Sequence, residues 1–89
     1  MIERDVEIVN RLGLHARAAA KLVHTSGAYQ SRVSVIKDGE EVDAKSILGI
    51  LLLAAGQGSE LTIRCQGPDE EEALNAVSTL IANRFDEES

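Results

Sequence analysis

The side chains best placed for chemistry lie in Gly13-Leu14-His15-Ala16-Arg17-Ala18-Ala19. His15 falls where a loop turns into a helix. The first turn of a helix carries backbone N–H groups with no internal partner, and the positive end of its dipole points outward. The amides of Ala16, Arg17 and Ala18 therefore offer an anion site made of backbone alone. Arg17 adds a forked, permanently charged donor. A neutral imidazole is a competent nucleophile toward phosphorus, and near neutral pH an ordinary histidine is substantially neutral. The chemistry this spacing suggests is phosphoryl transfer through His15, with the amides and Arg17 holding the phosphate oxygens. Gly13 supplies a sharp turn that leaves the ring approachable. A lone histidine beside a helix start is more often a solvated surface residue, so the segment does not decide the matter by itself.

No other titratable residue makes a comparable site. His24 is nine positions after His15 in the sequence. At about 100° per residue it lies half a turn round the helix, on a different face. The single cysteine, Cys65, excludes an intramolecular disulfide and reads as an inert core thiol. The His, Cys and acidic spacings offer no metal framework, and no cofactor is implied. Glu70 to Glu72 match the positive end of a helix dipole and are not a catalytic carboxylate pair.

The elements that must position His15 follow from periodicity. Ile2, Val6 and Ile8 share one side of a strand, with Glu3, Asp5 and Glu7 opposite. Ala16 to about Ser26 reads as a helix with Ala19, Leu22, Val23 and Ser26 on one face, stopped by Gly27. Val33 and Val35 mark a second strand, Asp38-Gly39 a hairpin turn, and Val42 a third strand. Ser46 is the expected N-cap of a helix running through Ala55, ended by Gly56-Gln57-Gly58-Ser59. Leu61, Ile63 and Cys65 alternate with polar residues in a fourth strand. After Gly67-Pro68, Asp69 and Glu72 fit a capping pattern, and Ala73, Leu74, Val77, Leu80 and Ile81 form the stripe of a last helix. Asp86 to Ser89 read as a frayed acidic tail. The order is β-α-β-β-α-β-α. Half-polar strands predict an α+β, two-layer open-faced sandwich: an antiparallel sheet with helices on one face.

Composition narrows the function. The 89 residues amount to one domain, 1–89, with too little volume for a deep active-site cavity beside a core. Function should sit on the surface. The net charge of −6 repels a nucleic-acid backbone, and one Tyr, one Phe and no Trp leave nothing on which bases can stack. No apolar run is long enough to span a membrane, and Met1 to Asp5 lack a signal-peptide core. A cytoplasmic address is the expectation.

Three segments in order extend this reading: Gly13 to Ala19, Lys45-Ser46-Ile47-Leu48-Gly49, and Gly67-Pro68-Asp69-Glu70-Glu71-Glu72-Ala73-Leu74. Together they resemble HPr, the histidine-containing phosphocarrier of the bacterial phosphoenolpyruvate-dependent phosphotransferase system. The resemblance spans nearly the whole chain. It implies that His15 accepts phosphate through Nδ1, with Arg17 as the phosphate partner. It implies phosphorylated enzyme I as donor, an enzyme IIA domain as acceptor, and a phosphohistidine intermediate without independent turnover. The family's sheet has strand order 1-4-2-3 with three helices on one face. One departure is Ala18, where family members typically carry proline. Its loss frees the unfolded chain and costs roughly 0.4–1 kcal/mol.

Ser46 has a second reading by the same resemblance. In many relatives the matching serine is phosphorylated by a dedicated serine kinase that damps carrier activity. Ile47, Leu48, Ile50, Leu51, Leu52 and Leu53 make the second helix apolar nearly all round, more than one sheet face can cover. Ala20, Ile47, Leu48 and Leu51 are the expected docking residues for both partners. Three other readings stand beside the sugar-transport carrier: a regulatory relative serving a nitrogen branch, an interaction module with an incidental histidine, and a small hydrolase. A monomer suits a shuttle that fits two partners in turn.

Overall fold

Alternating apolar residues set the sheet. In the computed structural model, which describes Met1–Ser89, the strands are β1 (Ile2–Glu7), β2 (Arg32–Lys37), β3 (Glu40–Asp43) and β4 (Glu60–Gln66). The helices are α1 (Ala16–Gly27), α2 (Ile47–Leu52) and α3 (Glu70–Ala82), followed by a short 3-10 turn at Arg84–Asp86. The strands pair antiparallel in the order β1-β4-β2-β3. Register places Val6 opposite Leu61, Val33 opposite Cys65 and Val35 opposite Ile63.

Those side chains face the helices. Ala18, Ala19 and Leu22 of α1, Ile50 of α2, and Ala73, Leu74, Val77 and Ile81 of α3 join Val33, Val35, Leu61, Ile63 and Cys65 in one buried core. With few aromatics available, the core is built from aliphatics, and Phe85 is its one fully buried ring. The opposite sheet face is polar. There Arg64 pairs with Glu3 at 2.5 Å and with Glu41 at 3.1 Å, and Thr62 donates to Asp5 at 2.8 Å. The Asp38-Gly39 turn joins β2 to β3 with φ of 52° and 82°, the left-handed pair that a tight hairpin needs.

Three local expectations are corrected. The second helix stops at Leu52, not Ala55. Leu53 and Ala55 are both buried, with Ala54 between them at φ 51°. Residues two apart cannot share one face of a helix, so burying both requires leaving it. Asp69 does not cap α3 through its side chain. Its carboxylate accepts instead from the amides of Gln30 and Ser31, both at 2.9 Å, and from the Ser31 hydroxyl at 2.5 Å. It thus ties the entry of α3 to the segment before β2.

The third concerns the C-terminus. Arg84, Phe85 and Asp86 all have left-handed φ (59°, 53° and 63°) and turn the chain back. Lys21 donates to the Phe85 carbonyl at 2.7 Å, and the Arg11 amide to the Ser89 carbonyl at 3.0 Å. The acidic end is docked, not frayed, because burial of Phe85 anchors it.

Candidate functional site

His15 occupies the N-cap position of α1, with extended backbone (φ −72°, ψ 176°). Its side chain makes no cap hydrogen bond. The first amide of α1 to find a partner is that of Ala19, on the His15 carbonyl at 2.8 Å. The amides of Ala16, Arg17 and Ala18 precede any intrahelical acceptor and have no backbone partner. No acidic side chain lies in this first turn to occupy them. The loop before the helix is pinned: the Leu14 amide donates to the Ala55 carbonyl at 2.8 Å, and the Gly13 amide to the Asn10 carbonyl at 3.2 Å.

Arg17 is exposed and makes no hydrogen bond or ion pair, so its guanidinium is free to meet an anion. With Leu12, Lys21 and residues 86–89 it lines a shallow hollow of about 310 Å³. Ala18 is fully buried, its amide included, so the amides of Ala16 and Arg17 are the ones at the surface. A larger hollow of about 440 Å³ at the sheet end is lined by Asp5, Glu7, Asp38 and Glu60. Its negative charge is unsuited to a phosphate.

The structure adds two residues that sequence reasoning missed. Glu87 Oε2 is hydrogen-bonded to His15 Nε2, across 72 positions of sequence. Glu87 Oε1 accepts from Asn10 Nδ2 at 2.9 Å, and the same Nδ2 donates to the Gly13 carbonyl at 2.8 Å. The His15 and Glu87 side chains are 25% and 12% exposed, so the pair is mostly withdrawn from water. Burial pushes the Glu87 carboxyl up, but the bonds from His15 and Asn10, with the charges of His15 and Lys21, outweigh it and hold it below the usual carboxylate range. An acidic run at a chain end reads as solvated, and no local signal marks its return to His15.

His24 is exposed on another face of α1 and does not join the site. Cys65 is buried in β4, and burial, with the charges of Glu70 and Asp69, raises its thiol. No group of residues has the arrangement of a metal site.

The Ser46 hydroxyl caps α2, accepting from the Gly49 amide at 3.3 Å. Among the expected docking residues, Ala20 is exposed, as are Ile47 (42%), Leu48 (70%) and Leu51 (37%). Leu12 (62%) and Leu52 (76%) are exposed as well. Only Ile50 of α2 is buried, so this short helix leaves most of its apolar circumference uncovered.

Comparison with known proteins bears on this arrangement. The family model for the PTS HPr component phosphorylation site matches residues 2–83. The phosphocarrier protein HPr of Cupriavidus necator is 54% identical over 87 residues, 98% of each chain. The crystal structure of an HPr from Thermoanaerobacter tengcongensis matches with a TM-score of 0.97 at 45% identity, over 100% of both chains. A second structure from that organism, described as an HPr dimer, matches with a TM-score of 0.79 at 45% identity over 98% of this chain and 100% of that one. The phosphocarrier protein NPr of Shewanella violacea is 39% identical over 88 residues, 99% of this chain and 97% of its own.

Proposed function

Because this chain belongs to the HPr family of phosphotransferase-system phosphocarriers, we propose that His15 is its phospho-acceptor, charged by phosphorylated enzyme I and discharged onto an enzyme IIA domain. The protein is a carrier, not an enzyme with turnover of its own. The observation that carries the assignment is the open first turn beside the ring: three unpartnered amides, at Ala16, Arg17 and Ala18, and the free Arg17 guanidinium.

The chemistry is a displacement at phosphorus. The Nδ1 lone pair attacks, the bond from phosphorus to the donor breaks, and that electron pair leaves with the donor. The phosphate oxygens then rest on the open amides and on Arg17, whose fork matches their geometry. Discharge reverses these steps toward the acceptor. The exposed Ala20, Ile47, Leu48 and Leu51 are the surface against which both partners dock, one at a time. Residues 1–89 act as a single cytoplasmic domain, and a monomer suits a shuttle that fits two partners in turn. No helix is long and apolar enough to cross a membrane. Ser46 is a candidate for control by a serine kinase, since a phosphate there adds charge at the start of α2 beside the docking surface.

The test is incubation with enzyme I and labelled phosphoenolpyruvate. An acid-labile, base-stable adduct should form, vanish in His15→Ala, and chase onto an enzyme IIA. Label that survives His15→Ala refutes the assignment. A nitrogen-branch regulatory role is the second reading, favoured by the similarity to an NPr. Preferential charging by a nitrogen-branch enzyme I would select it.

A further inference from the structure

We infer that Glu87 is a positioning residue for phosphotransfer, fixing which nitrogen of His15 is the nucleophile and countering the charge that develops on the ring. This rests on the carrier reading of His15. Glu87 contacts Nε2, the nitrogen that the proposed chemistry does not use, while Nδ1 makes no hydrogen bond within the chain.

An ionised carboxylate can only accept hydrogen bonds. The lowered carboxyl of Glu87 keeps it ionised at neutral pH, so Nε2 must carry the proton. In a neutral imidazole that leaves the lone pair on Nδ1. When Nδ1 gives that pair to phosphorus, the ring gains positive character. The proton stays between Nε2 and Glu87, and the adjacent carboxylate offsets the charge, as a carboxylate does behind the histidine of a hydrolytic triad.

The contact is built, not incidental. Asn10 is fully buried, and its Nδ2 is committed to both Glu87 Oε1 and the Gly13 carbonyl. The left-handed turn at Arg84 to Asp86 is held by buried Phe85 and by Lys21. A non-glycine residue in that region costs about 1–3 kcal/mol and persists only where its surroundings demand it.

This geometry makes an unusual demand on variants. In Glu87→Gln, Asn10 Nδ2 still needs an acceptor, so the new amide oxygen faces Asn10. The amide NH2 then faces His15 Nε2 and donates to it. That moves the ring proton to Nδ1 and removes the nucleophile. Glu87→Ala merely releases the ring. The isosteric change should therefore do more harm than the truncation, an order that lost packing cannot produce.

The experiment measures phosphoryl transfer from phosphorylated enzyme I to the wild type, Glu87→Gln and Glu87→Ala, and reads the imidazole 15N shifts of each at about pH 9, above the ordinary histidine range. Expected are the Nε2–H form in the wild type, the Nδ1–H form in Glu87→Gln and a mixture in Glu87→Ala. The transfer kcat should fall by at least about tenfold in Glu87→Gln and less in Glu87→Ala, with KM unchanged because the docking surface is untouched. A Glu87→Gln protein with wild-type kcat and the Nε2–H form overturns the inference. So does an alanine variant as impaired as the glutamine variant. If the wild type takes no label, the carrier reading fails and the role in transfer fails with it. The 15N shifts need no phosphate donor and still report separately whether Glu87 sets the tautomer.

Discussion

Gly13→Ala strikes the loop that delivers His15. Gly13 sits at φ 66°, and a Cβ there would lie 2.5 Å from the Ala55 carbonyl oxygen and 2.7 Å from Gly56 Cα. Both are backbone atoms, so no side chain can swing aside. Two costs combine. An L-residue in the left-handed region loses about 1–2 kcal/mol. Forcing a methyl into filled space costs about 1–3 kcal/mol more. The sum, about 2–5 kcal/mol, is a large part of the roughly 4–13 kcal/mol expected for a domain of this length. Gly39→Ala is the control: its φ is 82°, but nothing lies within 4 Å of the added Cβ, so only the first cost applies. Equilibrium urea unfolding measures both. With a slope of about 1 kcal/mol/M, Gly13→Ala should lower the midpoint by about 2 M or more, and Gly39→Ala by about 1–2 M. The 2.8 Å bond from the Leu14 amide to the Ala55 carbonyl must also lengthen, which carries His15 away from its docked position and should slow phosphotransfer. If Gly13→Ala proves no less stable than Gly39→Ala at equal slope, the close approach of the two loops is refuted.

Ser46→Ala removes the cap on the Gly49 amide and should cost about 1 kcal/mol in urea unfolding. Leu48→Ser and Leu52→Ser change side chains that are 70% and 76% exposed, so stability should move by no more than about 0.5 kcal/mol. The KM for transfer from enzyme I should rise in both, and an unchanged KM would remove this helix from the docking surface. Stability should also fall in acid. Asp69 is held below the usual carboxylate range by the Ser31 hydroxyl and the Gln30 amide, and Glu70 by the Gly67 amide and the N-terminal ammonium. A lowered folded-state value gives stability that is complete above the unfolded value, about 4, and is lost as pH drops through the folded one. The urea midpoint should hold steady from about pH 7 to 5 and decline below about pH 4. That decline should be shallower in Asp69→Asn.

The elements were legible because their signals are local. Alternation at Leu61, Ile63 and Cys65 places those three on one sheet face whatever they pack against, and all three are buried. The Asp38-Gly39 pair announces its own turn, since few residue pairs accept two positive φ values. Local rules failed where a distant partner outbid a near one. Asp69 had helix amides close at hand, yet the hydroxyl and amide of Ser31 and the amide of Gln30 offer one carboxylate three donors together. The apolar run after Ser46 carried no sign of where its helix would end. That end depends on burying Leu53 and Ala55 against elements remote in sequence.

The candidate site divides in the same way. His15, the open amides and Arg17 lie within a few positions of one another, so helix-end physics and a short motif suffice to assemble them. Glu87 and Asn10 belong to it only because the chain closes on itself. Burial of Phe85 and the left-handed turn bring the C-terminal carboxylate to Nε2 across 72 positions. The sequence alone put an imidazole, a helix start and a guanidinium within three positions of one another. Only the tertiary structure decided which group holds the ring's other nitrogen, because that contact depends on packing between segments with no shared local pattern.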